Sequence, residues 1–312
     1  MRIKNTKFII AALSLSFVLA SCGNENKNDT NTTEGSQVES TQTADTEDEN
    51  KNAEDFDISV VSREDGSGTR GAFIELTGLE EKSDNGDKVD NTTDEAIVQN
   101  STNGVMQTVS QDPYAIGYIS LGSLNDSVKA IKIDGIQATD ENIKSGDYKL
   151  QRNFNLAYKE SELDDLGKDF LDYVLSEDAQ KITEEEGYIS VESKEYKSTK
   201  PEGSMTVAGS TSVSPLMEKL IEAYKEVNPN ATIELQSTGS SAGIESTISD
   251  VSQIAMASRE LKEDEAKELK VEVLAQDGIA VVVNKDNSKI DDLTMDQVKE
   301  IFSGMIKNTS DL

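Results

Sequence analysis

Apolar residues fall along this chain in short runs, separated by stretches where they recur every three or four positions. Runs at 58–61, 115–121, 128–133, 205–208, 231–235, 254–256 and 279–283 are rich in Val, Ile and Ala and read as strands. The spacing near 3.6 over 70–76, 163–175, 215–227 and 294–302 predicts helices. Strands alternating with helices predict an α/β fold with a mostly parallel sheet covered on both faces. Residues 193–203, with Pro201 and Gly203, break the pattern and read as a linker. No internal repeat is visible.

The N-terminus has a pattern of its own. Arg2, Lys4 and Lys7 precede an apolar run over 8–20 that is too short to span a bilayer comfortably. The run ends in Leu19-Ala20-Ser21-Cys22, which resembles a bacterial lipobox. Residues 1–21 are then a lipoprotein signal peptide, and Cys22 becomes the acylated N-terminus that holds the chain at the membrane. Cys22 is the only cysteine, so no internal disulfide can form. Residues 22–56 are expected to be a disordered acidic tether. From Gly23 to Phe56 there are ten acids, two lysines and many Asn, Thr and Ser, which cannot bury a core. As a flexible coil its ends would lie on the order of 30 Å apart.

Charge and composition remove several function classes. A net charge of −30 repels nucleic acid phosphates. The chain has no histidine, so a Ser-His-Asp or Cys-His pair is excluded. No P-loop or EF-hand pattern occurs. Neither an enzyme, a cofactor nor a metal site is expected.

Three strand-to-helix turns share one chemistry. They run over 62–71, 209–215 and 237–243, and each sets hydroxyls and small residues just ahead of a helix. A helix N-terminus presents unpaired N–H groups and a partial positive charge, which suits an anion. Ser and Thr add donors without net charge, and Arg63 adds a planar cationic fork. Plain N-capping is the competing account of each turn taken alone. Three such turns in one chain, one with an arginine, point to an oxyanion site.

At these turns the sequence resembles the phosphate-binding lipoproteins of bacterial phosphate-specific ABC importers. Val60-Val61-Ser62-Arg63-Glu64-Asp65-Gly66-Ser67-Gly68-Thr69-Arg70-Gly71 is similar to the family's arginine-containing phosphate loop. Gly209-Ser210-Thr211-Ser212-Val213-Ser214-Pro215 is similar to its first turn, and 237–244 and Ala257-Ser258-Arg259-Glu260 to the next two elements. The resemblance implies a two-lobed type II periplasmic-binding-protein fold with phosphate between the lobes. It implies ligand contacts from Thr211, Ser212, Ser240, Arg63, Ser67, Gly68 and Thr69, with Ser258 or Arg259 as the fourth contact element. It also implies an ABC permease as partner, and a monomer binding one phosphate is expected.

Two departures from the family stand out. The family's second half comes first here (58–191) and its first half last (205–312), as in a circular permutation. Lobe II is then expected over 57–125 plus 286–312 and lobe I over 126–285, with the permutation linker at about 192–204. A displaced fragment or a truncated tandem is the alternative. Some family members also place a carboxylate where Arg259 stands, to accept the proton of hydrogen phosphate. Here Glu260 or Asp65 is a candidate for that role, and Asp65 is equally a candidate to orient Arg63. A different oxyanion such as sulfate, and a surface sensor or interaction protein without transport, are the competing functions.

Overall fold

The apolar runs pair into one nine-stranded sheet. The structure, a computed structural model, describes residues 54–312 apart from 84 and 86. The leader, Cys22 and most of the expected tether lie outside the described residues.

The sheet order is Ala231–Ser237, Gly203–Gly209, Ile254–Ala257, Gln151–Tyr158, Lys270–Asn284, Ala115–Ser120, Ser59–Arg63, Ile97–Gln99, and Val128–Ala130 pairs off this path onto Lys270–Asn284. The first three strands are parallel to one another, and so are the last three. Between these triplets, Gln151–Tyr158 and Lys270–Asn284 run antiparallel to each other and to their neighbours. The sheet is therefore mixed rather than mostly parallel. The crossing strands let one continuous sheet serve two cores.

One core gathers Val61, Phe73, Val105, Ile119, Val283 and Phe302, all fully or almost fully buried. The other gathers Phe154, Phe170, Val207, Leu220, Tyr224 and Met256. Lys270–Asn284 supplies both, with Leu274 and Ala275 in one and Ile279 to Val283 in the other. These cores move the expected lobe boundaries. Val128, Ile131, Ile133, Tyr148 and Leu150 belong with Phe73, so 126–150 and 279–285 pack in the lobe assigned to 57–125 and 286–312. The physical reason is that Val128–Ala130 has its ladder partner at the far end of the long crossing strand, at Val282 to Asn284. The lobes divide at the two crossing strands.

Local chemistry sets the helix starts. Ser67, Ser101, Asp164, Ser176 and Thr294 cap the helices Gly68–Thr77, Thr102–Gln111, Asp165–Val174, Glu177–Glu185 and Met295–Phe302 through their side chains. Thr294 and Gln297 close a full capping box. Pro215 sits in the first turn of Ser214–Val227, where its missing N–H costs nothing. No described helix is long and apolar enough to cross a membrane.

The two ends of the described chain meet. Asp57 and Asn308 form an antiparallel bridge, and Ile58 N donates to Lys307 O at 2.8 Å. Phe56 N donates to the Thr309 hydroxyl at 3.1 Å, and its ring lies 4.8 Å from that of Tyr114. The last two residues of the expected tether, Asp55 and Phe56, are thus docked rather than disordered, because Asp55 reaches Lys289 at 3.0 Å and Phe56 finds an aromatic partner.

The segment expected as a linker is strapped down by a single carboxylate. Asp169 accepts from Tyr196 and Ser198 hydroxyls at 2.9 Å each, from Thr199 N at 2.8 Å and from the Tyr224 hydroxyl at 2.7 Å. Asn228 Nδ2 donates to Pro201 O at 2.9 Å beside it. Burial is the largest influence on the Asp169 carboxyl and pushes it up. The hydrogen bonds from Thr199, Tyr224, Ser198 and Tyr196 together outweigh it and hold the group below the ordinary aspartate value. A carboxyl depressed in the folded state stabilises above its unfolded value, near 3.8, and loses that contribution as pH falls through the folded value. Asp169→Ala is expected to cost about 2–4 kcal/mol in urea unfolding at pH 7, because it strands several buried donors. Asp169→Asn should in addition flatten the loss of stability below pH 4; an unchanged acid limb would mean that other carboxyls carry it.

Candidate functional site

The parallel strands of each triplet end at the middle of the molecule, so the turns that follow them face one another. From one lobe come Arg63, at the end of Ser59–Arg63, and Gly68 and Thr69, which open Gly68–Thr77. From the other come Thr211 and Ser212 after Gly203–Gly209, Ser240 at the start of Ser240–Ile248, and Ser258 after Ile254–Ala257.

Their hydroxyls form one buried network. Thr69 Oγ1 lies 2.8 Å from Ser212 Oγ, across the lobes. Ser210 Oγ donates to Ser258 Oγ at 2.8 Å, and Ser258 N donates to Ser240 Oγ at 3.2 Å. Ser241 N donates to Gly66 O at 3.1 Å and closes the loops against each other. Two glycines permit these approaches. At Gly209, with φ 141°, a Cβ would collide with the Met256 carbonyl. At Gly68 a Cβ would collide with Ser240 Oγ and stand 2.7 Å from Ser258 Oγ.

Arg63 is the cation of the network and is only 2% exposed. Its Nη2 donates to Thr211 Oγ1 at 3.0 Å. The backbone holds it from both sides, since Tyr118 OH accepts from Arg63 N at 3.2 Å and Arg70 Nη1 donates to Arg63 O at 2.7 Å. Tyr118 is in turn fixed by stacking on Phe73, with ring centroids 4.0 Å apart. Burial raises the Tyr118 hydroxyl, which keeps it neutral beside the Arg63 backbone.

The structure brings some of the residues singled out in the sequence together and turns others aside. Arg63, Gly68, Thr69, Thr211, Ser212, Ser240 and Ser258 come together. Ser67 is buried beside them, but its hydroxyl caps the helix by accepting from Arg70 N at 3.3 Å. Arg259 turns aside: it forks Glu265 at 2.7 and 2.8 Å and donates to Ser241 Oγ at 3.2 Å. Of the alternatives at the fourth contact element, Ser258 therefore faces the network. Asp65 does not orient Arg63. Its side chain is 97% exposed and lies 3.1 Å from Arg70 Nη1. Glu64 orients Arg63 instead, accepting from Nε and Nη2 at 2.9 Å each. Glu260 accepts from Asn153 Nδ2 at 3.1 Å and lines a neighbouring cleft of about 350 Å³ with Ala72, Glu75 and Arg152.

Thr102 was not singled out from the sequence. It opens Thr102–Gln111, and its hydroxyl lies 3.0 Å from Ser212 Oγ and 3.4 Å from Thr211 Oγ1. The run Asn100-Ser101-Thr102-Asn103-Gly104 carried the same Ser/Thr/Gly signature as the other turns. A fourth helix N-terminus thus points at the network. Among the described residues no cluster of His, Cys, Asp and Glu suits a metal ion. The arrangement offers many neutral donors, several helix N-termini and one cation, which is the chemistry of a desolvated oxyanion.

Comparison with known proteins shows the family of the chain. A model of the PBP superfamily domain matches residues 23–178 and 194–311. "Phosphate-binding protein PstS 2" of Streptococcus agalactiae is 53% identical over 257 residues, covering 82% of this chain and 87% of the relative. The chain belongs to the PstS phosphate-binding protein family. A crystal structure of the phosphate-binding protein of a phosphate ABC transporter from Streptococcus pneumoniae is 46% identical, with a TM-score of 0.66, and 99% of that chain is covered along with 82% of this one. Within the same PstS family, the Bacillus subtilis protein aligns at 36% identity over 141 residues only, 44% of this chain and 43% of that one. The two-lobed periplasmic-binding-protein fold implied by the sequence is the fold observed.

Gly68→Ala tests how tightly the two lobes must meet. The nearest atoms to the added methyl group are those of Ser240 and Ser258 in the opposite lobe, which it strikes. Small-angle scattering should show a larger radius of gyration, while stability in urea shifts by less than about 1 kcal/mol. An unchanged radius would show that the network tolerates the intrusion.

Proposed function

We propose that this protein is an extracytoplasmic solute-binding protein that captures inorganic phosphate between its lobes and delivers it to an ABC-type permease. The observation that carries this reading is the buried network itself: Arg63, Thr69 and Thr102 from one lobe meet Thr211, Ser212, Ser240 and Ser258 from the other. Neutral donors and helix N-termini replace the hydration shell of a small anion, so the site energy is set locally despite a net charge of −30. Because both lobes contribute donors, the ligand favours the closed form, and closure is what a permease can read. The names of the relatives, binding proteins and not enzymes, support the same reading.

Cys22 carries the lipid that holds the protein at the membrane in this reading, supported by the leader pattern Leu19-Ala20-Ser21-Cys22. Cys22→Ala cells should release the protein into the medium; retention at the membrane would point to another anchor.

The order of the halves is read as a circular permutation. Three features support it: the long alignment with streptococcal relatives against the half-length one with Bacillus, the pairing of 55–58 with 307–309, and the ordered strap over 194–201. The long alignment also weighs against a displaced fragment, since a relative shares the order over most of its length.

Calorimetric titration of the full chain with phosphate should give tight one-to-one binding that Arg63→Ala weakens at least a hundredfold, because a buried charge-assisted contact is lost. A chain re-cut at the strap, with 312 joined to 57 through a short loop, should bind equally well if the order alone was permuted. Absence of heat from the folded wild-type chain would remove the phosphate reading and leave a surface sensor or interaction protein.

A further inference from the structure

The network leaves out Arg259, whose charge goes to other partners. Its Nη1 donates to Glu265 Oε2 at 2.7 Å and to the Glu260 carbonyl at 2.9 Å. Its Nη2 donates to Glu265 Oε1 at 2.8 Å and to Ser241 Oγ at 3.2 Å. Lys262 N, donating to Glu265 Oε2 at 2.8 Å, holds that carboxylate in place. Each Nη carries two hydrogens, so both groups are fully used and the guanidinium is neutralised.

The Arg259 side chain is nonetheless only 10% exposed, and the opposite lobe covers part of it. Its Cδ lies 3.3 Å from where a Cβ on Gly71 would stand. Ser241, which takes the Arg259 head, also donates its N–H across the lobes to Gly66 O at 3.1 Å.

The contact stands between the buried network and an outer cleft. Along one lobe, Thr69 faces the network, Gly71 meets Arg259, and Ala72, Glu75 and Leu76 line the cleft of about 350 Å³. Along the other, Ser258 faces the network, Glu260 lines the same cleft, and Arg259 lies between them in sequence. That cleft reaches solvent, since Leu76 on its wall is exposed.

Resting on the phosphate reading above, we propose that Arg259 is a positioning residue that seals the network and sets how slowly a bound anion leaves. Its methylene stem closes against Gly71 of the opposite lobe, and Glu265 clamps its head so that the stem stays there. A paired arginine suits this place, because a long stem gives apolar cover while the neutralised head adds no net charge beside the anion. Gly71 has no side chain to hold the stem off. Association begins from parted lobes, where the contact is absent, whereas release must first break it. The seal therefore acts on the dissociation rate and leaves the association rate nearly unchanged.

The test measures release of radiolabelled inorganic phosphate from the full chain into excess unlabelled phosphate, with affinity from calorimetry. It compares wild type with two double variants, Arg259→Ala with Glu265→Gln and Arg259→Met with Glu265→Gln. Both remove the two charges together, so no carboxylate is left buried alone, and they differ only in the stem. The alanine double variant should release phosphate at least about tenfold faster, with association changed by less than about threefold. The methionine double variant, which restores an unbranched stem over Gly71, should release within a few-fold of wild type. If both double variants release equally fast, the charge of Arg259 matters and not its stem, and the proposal is overturned. Release at the wild-type rate from the alanine double variant overturns it as well. If wild type holds no phosphate, the phosphate reading itself has failed and the role of Arg259 falls with it.

Discussion

The two crossing strands meet in a directly opposed pair, Arg152 and Asp277, and the rest of the molecule is arranged around it. Both side chains are buried, and taking two charges out of water is costly unless every remaining polar atom is satisfied. Burial pushes the Asp277 carboxyl up. The attraction of Arg152, and hydrogen bonds from Arg152, Ser120 and Gly122, work against that push. The partners come from both sides of the molecule. Ser120 ends a strand of the Arg63 lobe, while Arg152 Nη1 donates to the Ser258 carbonyl at 3.1 Å in the other lobe. One ion pair therefore ties a ligand-facing element, the crossing strands and the opposite lobe together. A pair of this kind is a poor source of net stability but a strong constraint on register, because a one-residue slip would bury each charge alone.

That constraint explains how an acidic protein can present an anion site. Among the described residues, negative charge sits mostly on exposed helices and loops, where solvent screens it over roughly 10 Å. At the centre, the two innermost cations, Arg63 and Arg152, are each matched by one carboxylate, Glu64 and Asp277. The local charge is close to balanced, and the attraction left for an oxyanion comes from oriented dipoles. Helix N-termini and hydroxyls keep their strength in a buried setting, where exposed lysines would be screened. The same dipoles stand on both lobes, so bridging them is the way to satisfy all of them at once.

Much of the site was legible from the sequence because its chemistry is local. A helix start announces itself through Ser, Thr and Gly within a few residues, and Ser67-Gly68-Thr69 or Thr211-Ser212 needs no distant partner to be recognised. Thr102 carried the same signature in a weaker setting, since an acidic, exposed segment precedes it. The crossing strand Gln151–Tyr158 was not recognised, because Arg152, Asn153 and Asn155 interrupt its apolar run. Those polar residues make sense only against Asp277, Glu260 and the Arg259 carbonyl, all more than a hundred positions away. The lobe boundary failed for a related reason: strand pairing with Lys270–Asn284, not sequence proximity, decides which core receives 126–150.

Composition, hydrophobic period and capping residues by themselves determined the α/β class, the turns suited to an oxyanion, and Arg63 as the cation. These depend on interactions within one turn or one strand, which residue order encodes directly. Tertiary structure decided which carboxylate meets which arginine. Glu64 and Asp65 are adjacent in sequence and alike in chemistry, yet one forks Arg63 and the other faces water beside Arg70. Successive residues point in different directions, and only the packed position of the neighbouring loops determines which direction leads to a partner.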